Sequence, residues 1–540
     1  MPRISIDGVE VECRRGTNVL QAALEAGVDV PHYCYHPGLS VVASCRLCLM
    51  EMQMREPKTG EMAWSPRLVP ACQTPVRQGM VVRFDSAKVK EARERCLEYL
   101  LLSHPLDCPV CDQAGECLLQ DYSYRFGKST SRMVEDKDVN PKKDIGPRTL
   151  LYQDRCVLCT RCVRVATEIS GTCELAVVNR GSRNEIDVFP GRPLDNPLQG
   201  NVVDVCPVGS MLDKDFLFKQ RVWFLERADS ICPGCSTGCA VRIDHQDGRI
   251  YRLKPRYSPG VNDWWMCDEG RFGWKYVHDD SRLREILLRR GCATERLNWE
   301  TVCEVVRARF EKVSRDEGGS RIAIVLSPFL ACEEAWLLVR ALRRISPEVA
   351  LVPGPIPTAG EDQGFPVGAE GDEVKFVIRQ EKCPNRSGIE LLIDECGGPQ
   401  ASLEEFCKRA GEGEFAGVWV AGGYPGEWVD KDLTAACAKV KWLVVQDLFP
   451  SALSDAASLV LPMCSFAERE GSFVNYEGRV QPFSRAIHPL EGCRRDGQFL
   501  FELAGFEGLY SGSRVREMMA QEIEGFREVS VPPLAPVYQH

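Results

Sequence analysis

The chain has 540 residues and a mass of 60.4 kDa, more than one hydrophobic core organises, so it divides into several domains. With 44% hydrophobic and 27% charged residues it is globular, which excludes a disordered, collagen-like or fibrous chain. Lys and Arg number 67 against 77 Asp and Glu, a net charge of -10, the wrong sign for gripping phosphates through clustered cations, so nucleic acid is not an expected partner.

The composition holds 27 Cys against 7 His. The opening residues Met1-Pro2-Arg3-Ile4 carry no basic segment followed by an apolar run, so no signal peptide is read. Nor does any uninterrupted apolar run reach the length of about eighteen residues that spans a bilayer. The chain therefore reads as cytosolic, where thiols stay reduced and dense cysteine more often builds a metal framework than a disulfide one. Seventeen of the 27 cysteines fall between residues 34 and 267, nearly all in tight groups, and the front half carries the chemistry.

Residues 3–12 alternate apolar and polar around Asp7-Gly8, the signature of a tight hairpin, and Asn18 to Ala26 reads as a short helix. Cys34, Cys45, Cys48 and Cys72 follow: an isolated cysteine, a close pair and a remote one, as in plant-type [2Fe-2S] ferredoxins, with a first loop of ten residues instead of four. From Ser86 to Leu102, Val89, Ala92, Cys96, Leu97 and Leu100 share one helical face, so Cys96 is expected in the core. That helix runs into His104, Cys108, Cys111 and Cys117. Three thiolates leave one corner of a [4Fe-4S] cube open. By spacing alone, His104 serves equally well as the fourth ligand or as a helix-end cation.

Cys156, Cys159 and Cys162 form C-x2-C-x2-C, which wraps three corners of one cube, whereas zinc draws two pairs from separate turns. In bacterial ferredoxins the run continues to a Cys-Pro serving a second cluster. Here that position is Ala166, and Cys206-Pro207 lies far downstream. Val202, Gln199 and Asn196 stand where partners of Cys206 would be, so the second cluster is lost and Cys206 closes the first. The last group is Cys232, Cys235 and Cys239 with Cys267, where three preceding cluster-like sets favour iron-sulfur over zinc. The remaining cysteines (Cys13, Cys96, Cys173 and nine from Cys292 to Cys493) lack ligand spacing, and most are expected as buried small hydrophobes. A cluster with every corner taken by protein exchanges electrons only. No G-x-G-x-x-G follows a strand in the front half, so electrons must arrive and leave through partner proteins.

In their order, these sets and the segment Met266-Cys267-Asp268-Glu269-Gly270-Arg271-Phe272-Gly273 resemble the large iron-sulfur subunit of bacterial respiratory complex I, NADH:quinone oxidoreductase, closely over the first 280 residues. The resemblance implies one [2Fe-2S] cluster on Cys34, Cys45, Cys48 and Cys72. It implies three [4Fe-4S] clusters, on His104, Cys108, Cys111 and Cys117, on Cys156, Cys159, Cys162 and Cys206, and on Cys232, Cys235, Cys239 and Cys267. It implies a multidomain α+β and α/β chain: a β-grasp [2Fe-2S] ferredoxin domain (1–82), a helical histidine-ligated segment (83–126), a degenerate bacterial-ferredoxin-like domain (145–222), a molybdopterin-oxidoreductase-type [4Fe-4S] domain (225–285) and a shortened molybdopterin-oxidoreductase-like α/β domain (286–540). Its implied partners are the flavin/NADH-binding subunit with its own [4Fe-4S], a two-cluster ferredoxin-like subunit and other peripheral-arm subunits. The implied location is the cytoplasmic side of the bacterial inner membrane, touched only through the complex. The relay would have no substrate site of its own, and its fourth cluster would lie off the main path.

From about residue 290 short apolar runs at Ile322–Leu326, 417–420 and 442–445 alternate with helical segments and suit buried parallel strands, while 353–373 and 383–400, rich in Gly, Pro and charge, read as loops. Segments 456–462 and 471–481 resemble molybdopterin oxidoreductases. A molybdenum or tungsten formate dehydrogenase would need a Cys or selenocysteine on the metal, typically before His, and a Lys in Cys-x-Lys-Gly. No Cys-His pair occurs, Glu269 stands at the Lys position, and the chain after Cys267 is too short for a two-pterin domain, so no molybdopterin is expected. The iron-sulfur subunit of an NAD-coupled hydrogenase is a second rival, set back by the scattered late cysteines. A zinc scaffold is the non-redox alternative.

Overall fold

The computed structural model describes residues 1–55, 60–291 and 293–528. Its N-terminal unit is a twisted sheet in the order Val9–Glu12, Arg3–Ile6, Val81–Arg83, Leu49–Arg55, Met62–Trp64. Arg3–Ile6 pairs antiparallel with Val9–Glu12 and parallel with Val81–Arg83. Asp7 and Gly8 turn the first hairpin with φ of 50° and 86°, the left-handed pair a two-residue turn demands. Helix Val19–Glu25 is closed by a capping box, Asn18 accepting from the Gln21 amide and Gln21 from the Asn18 amide, and it buries Val19, Leu20 and Leu24 on the sheet.

Helix Ala87–Leu101, capped by Ser86, buries Val89 and Leu97, while Cys96 is only half-buried, its thiol donating to the Arg46 carbonyl at 3.6 Å. It packs on helix Leu118–Phe126, and the loop between them holds Cys108 and Cys111. Next comes a three-stranded sheet of Met211–Asp213, Thr149–Tyr152 and Lys142–Asp144, with the short helices Arg161–Arg164 and Asn201–Val205 in contact beside it. After Arg164 the helix widens into a π turn, and Ala166, standing where the missing ferredoxin cysteine would be, is buried. The meander Glu226–Ile231, Ala240–Gln246 and Arg249–Pro255 carries the last cysteine loop.

The C-terminal unit is a seven-stranded sheet ordered Ala293–Leu297, Ile286–Arg290, Leu459–Pro462, Trp442–Asp447, Gly417–Ala421, Ile322–Leu326, Ala350–Pro353. The last five are parallel and the first two form an antiparallel edge hairpin. Every residue of Ile322–Leu326, Gly417–Ala421 and Trp442–Asp447 is buried, as expected of strands covered on both faces. The segment 383–400 departs from its reading as a loop: Arg386–Cys396 is a helix burying Ile389, Leu392 and Ile393. Its i, i+3, i+4 spacing outweighs a composition suggesting coil. Gly388 is obligatory there, since a Cβ would lie 2.1 Å from Asn385 Oδ1 and 2.7 Å from Cys332 Sγ.

Of the cysteines without ligand spacing, Cys13, Cys332, Cys383, Cys437 and Cys464 are buried, Cys96, Cys303, Cys396, Cys407 and Cys493 are half-buried, and Cys173 is exposed. Cys292 lies outside the described residues. Among the described residues no helix is long and apolar enough to cross a membrane.

Candidate iron-sulfur sites

The four cysteine groups, scattered over more than two hundred residues, come together in one region of the fold. In the first, Cys34 Sγ lies 3.5 Å from Cys45 Sγ and also engages Cys72, which in turn engages Cys48. These thiol contacts are the largest influence on each group: they pull the Cys34 and Cys48 thiols down and push those of Cys45 and Cys72 up. Four soft donors crowded this closely suit a thiolate-bound group better than four independent buried thiols.

In the second group Cys111 and Cys117 are buried and Cys108 is exposed. Burial pushes the Cys117 thiol up to about 12. Burial first, then the Arg155 and Lys137 cations, bring His104 down to about 4, which leaves its ring neutral and able to offer a lone pair. In the third group burial holds Cys156 up at about 12 and Cys159 at about 11. In the fourth, Cys232, Cys235, Cys239 and Cys267 line one cavity with Gly234, Met266, Glu269 and Gly270. Among the described residues no three such donors converge on one point, as a single metal ion would require. In a cube each thiolate binds a different iron, so its ligands surround a space instead.

The backbone around these thiols is shaped for sulfur. Amides of Tyr33, Leu158 and Gly270 donate to Cys45, Cys156 and Cys267 Sγ, each at 3.4 Å. Ala43, Arg46, Leu158 and Thr160 hold left-handed φ of 50°, 57°, 49° and 58°, strain that side chains other than glycine adopt only where the surroundings fix it. Two glycines leave cradles: a Cβ at Gly209 would stand 2.3 Å from Cys111 Sγ, and one at Gly270 2.7 Å from Cys232 Sγ. Donor chemistry, aimed amides and Cβ-free cradles all fit iron-sulfur clusters.

The third group touches both the first and the second, which also meet each other through the Tyr33 and Tyr122 rings, 5.5 Å apart. Arg164 Nη2 donates to the carbonyls of Cys34, at 2.6 Å, and Cys159, at 3.1 Å, and its Nη1 to Ser40 at 2.5 Å. Arg161 bridges the Tyr35 and Val205 carbonyls. On the other side Arg155 Nη1 reaches Cys111 Sγ at 3.5 Å, and the Leu118 amide donates to the Pro207 carbonyl at 3.0 Å. The fourth group is tied on from the side. Asn201 both donates to the Met266 carbonyl and accepts from its amide, Arg271 binds Asp204 at 2.5 Å, and the His36 ring packs on Trp264 and Trp265. Arg252 adds a buried fork on Glu116, at 3.0 and 2.9 Å. Spacing rules look only for ligands and so miss Arg155, Arg161, Arg164 and Gly209. Three arginines in or beside a tight cysteine run were the available signal.

The C-terminal sheet has the strand order of a doubly wound fold, whose ligand crevice lies beyond the carboxyl ends of Ile322–Leu326 and Gly417–Ala421. The chain's own aromatic residues fill that crevice. Tyr424 is buried, donates to the Pro355 carbonyl at 2.7 Å, stacks on Trp428 at 4.4 Å and packs on Phe329 at 4.8 Å. These residues do not fit a pterin. Glu269 is paired with Lys382 at 2.6 Å.

Family models match in chain order. They are a 2Fe-2S iron-sulfur cluster binding domain (2–87), the NADH-ubiquinone oxidoreductase-G iron-sulfur binding region (93–132) and the ferredoxin-like domain of NADH-quinone oxidoreductase subunit 3 (146–212). A molybdopterin oxidoreductase Fe4S4 domain (225–279) and a molybdopterin oxidoreductase domain (386–506) follow. The chain is 35% identical over 348 residues to the G-type NADH-quinone oxidoreductase subunit of Rickettsia prowazekii (strain Madrid E), covering 64% of this chain and 49% of that protein. To the NADH-ubiquinone oxidoreductase 75 kDa subunit of Reclinomonas americana it is 34% identical over 345 residues, covering 64% and 48%. It thus spans about half the length of these curated relatives. A chain from the crystal structure of an NAD+-reducing [NiFe]-hydrogenase in the H2-reduced state superposes with a TM-score of 0.36 and 29% identity, over 41% of this chain and 91% of that one. Over the part they share, and in the order of its cluster-binding domains, the chain is a relative of the large iron-sulfur subunit of NADH-quinone oxidoreductase, the G or 75 kDa type.

Proposed function

We propose that the chain is an electron-relay subunit in the peripheral arm of an NADH:quinone oxidoreductase, passing single electrons from a flavin subunit toward the quinone-reducing subunits. The observation that carries this reading is the bridging of the third cysteine group to both the first and the second by Arg155, Arg161 and Arg164. On this reading Cys34, Cys45, Cys48 and Cys72 hold one [2Fe-2S] cluster, and the sets beginning at His104, Cys156 and Cys232 hold three [4Fe-4S] clusters. Bound there, such clusters supply one-electron exchange without rearranging any substrate bond.

The chain's own part is to hold these groups at fixed separations, to keep water off most thiols and to offer a docking face at each end. Cys34, Cys48 and Cys72 are buried, whereas Cys108 is exposed beside exposed Leu106 and Val110, so the second group forms the end that meets a partner directly. The path runs from the first group through the third to the second, and the fourth stands beside it. The filled crevice supports a C-terminal domain without molybdopterin. The partners would be the flavin subunit, a two-cluster ferredoxin-like subunit and the rest of the arm, on the cytoplasmic face of the membrane.

Low-temperature EPR of the reduced, anaerobically purified chain tests the reading. One [2Fe-2S] and three [4Fe-4S] signals are expected, and His104→Ala removes one of the latter. Persistence of all three would overturn the histidine assignment, and a folded, iron-free chain from cells competent in cluster assembly would overturn the relay itself.

A further inference from the structure

We propose that Arg155 sets the reduction potential of the cluster held by His104, Cys108, Cys111 and Cys117, acting from the neighbouring segment one residue before the first cysteine of the middle set. The inference rests on the relay reading above and deepens it by naming a tuning residue.

Arg155 ends the 3-10 turn Gln153–Arg155, directly after strand Thr149–Tyr152, and the Cys156 amide closes that turn on the Gln153 carbonyl at 3.0 Å. The side chain is therefore aimed by the same backbone that presents Cys156. It is buried, and its guanidinium lies 4.0 Å from the Tyr152 ring centroid. Nε and Nη2 donate to Asp107 Oδ2 at 3.1 and 2.6 Å, while Nη1 donates to Cys111 Sγ at 3.5 Å and to the Gly209 carbonyl at 3.4 Å. Arg161 and Arg164 donate only to carbonyl oxygens among the described contacts, so of the three junction arginines Arg155 is the one that touches a ligand sulfur.

Reduction adds a negative charge that spreads onto the ligating sulfurs. A cationic N–H on one of those sulfurs stabilises the reduced form more than the oxidised one and raises the potential. Burial keeps solvent and salt from screening the effect. Asp107 both aims the guanidinium and opposes it with a negative charge of its own, but it is the more exposed partner, with 37% of its side chain accessible against 4% for Arg155. Lys137, the other cation facing His104, and Arg221, which donates to the Cys111 carbonyl at 2.8 Å, reach no ligand sulfur among the described contacts. Arg155 is thus a positioning and tuning residue.

An anaerobic redox titration of the cluster-loaded full chain, followed by EPR, decides the matter. Arg155→Met is expected to lower the midpoint of the histidine-containing set, Arg155→Lys to lower it less, and Asp107→Asn to raise it, with the middle set moving less in each case. A merely structural role would not give opposite signs at two residues of one ion pair. An unchanged midpoint in Arg155→Met with all four sets retained, or shifts of the same sign in Arg155→Met and Asp107→Asn, overturns the proposal alone. Should Arg155→Met lose the set, Arg155→Lys and Asp107→Asn carry the same comparison. Absence of cluster signals in the unmodified chain overturns the relay reading and this proposal together.

Discussion

Gly209→Ala separates the demands of folding from those of the bound group. The added Cβ would stand 2.3 Å from Cys111 Sγ and 3.1 Å from Gln113 Cβ. In the metal-free chain the thiol escapes by turning about χ1, at a cost of about 0.5–1.5 kcal/mol. A ligated sulfur cannot turn, so the full overpacking cost of about 1–3 kcal/mol falls on the bound state. The difference, about 0.5–1.5 kcal/mol, corresponds to a loss of roughly twofold to tenfold in retention of that one cluster. The assay pairs thermal unfolding of the metal-free variant with the rate at which a chelator strips each EPR-resolved set. Near-normal melting with selective loss of the histidine-containing set is expected. Retention of that set at the wild-type rate would refute the cradle argument.

Two further tests bear on the C-terminal domain. The Arg282–Glu468 pair is fully buried at 2.7 Å, and Arg282 also donates to the Val277 and Met463 carbonyls. Arg282→Met should cost about 3–5 kcal/mol in denaturant unfolding, because it strands a buried carboxylate, and Arg282→Met with Glu468→Met should recover part of it. Burial raises Asp447 to about 6 from its ordinary 3.8. A raised carboxyl contributes stability that is complete below about pH 4 and is lost as pH climbs to about 6, about 3 kcal/mol in all. Asp447→Asn, which does not titrate, should therefore cost about 3 kcal/mol less at pH 7 than at pH 4 in denaturant unfolding. An equal cost at both pH values would refute the assignment.

The cysteine runs were legible in sequence because cluster binding fixes residue type and local spacing together, and the buried parallel strands because fully covered strands are continuous apolar runs. What escaped was set by contacts distant in sequence. Arg386–Cys396 looked like coil because Gly388, needed where the helix meets Asn385 and Cys332, lowers its apparent propensity. Charged residues such as Arg282, Glu334, Glu468 and Arg469 would be read on the surface, yet Arg282 pairs with Glu468 and Arg469 with Glu334 in the protein interior. The filling of the crevice by Tyr424 and Trp428 likewise depends on a loop meeting Pro355 across the sheet. Nor does spacing say which set lies beside which, since Arg164 and Cys34 are 130 positions apart.

The contacts of the middle set with loops from both neighbours join the three sets mechanically. Cys159 and Cys162 are buried, with the loop of Cys34 strapped over them by Arg164 and that of Cys111 held alongside by Arg155. Cys156 and Cys206 of the same set stay partly open to solvent, so the two straps and not full enclosure hold it in place. A change that loosens either flanking loop would therefore be felt at the middle set as well as at the neighbour that owns the loop.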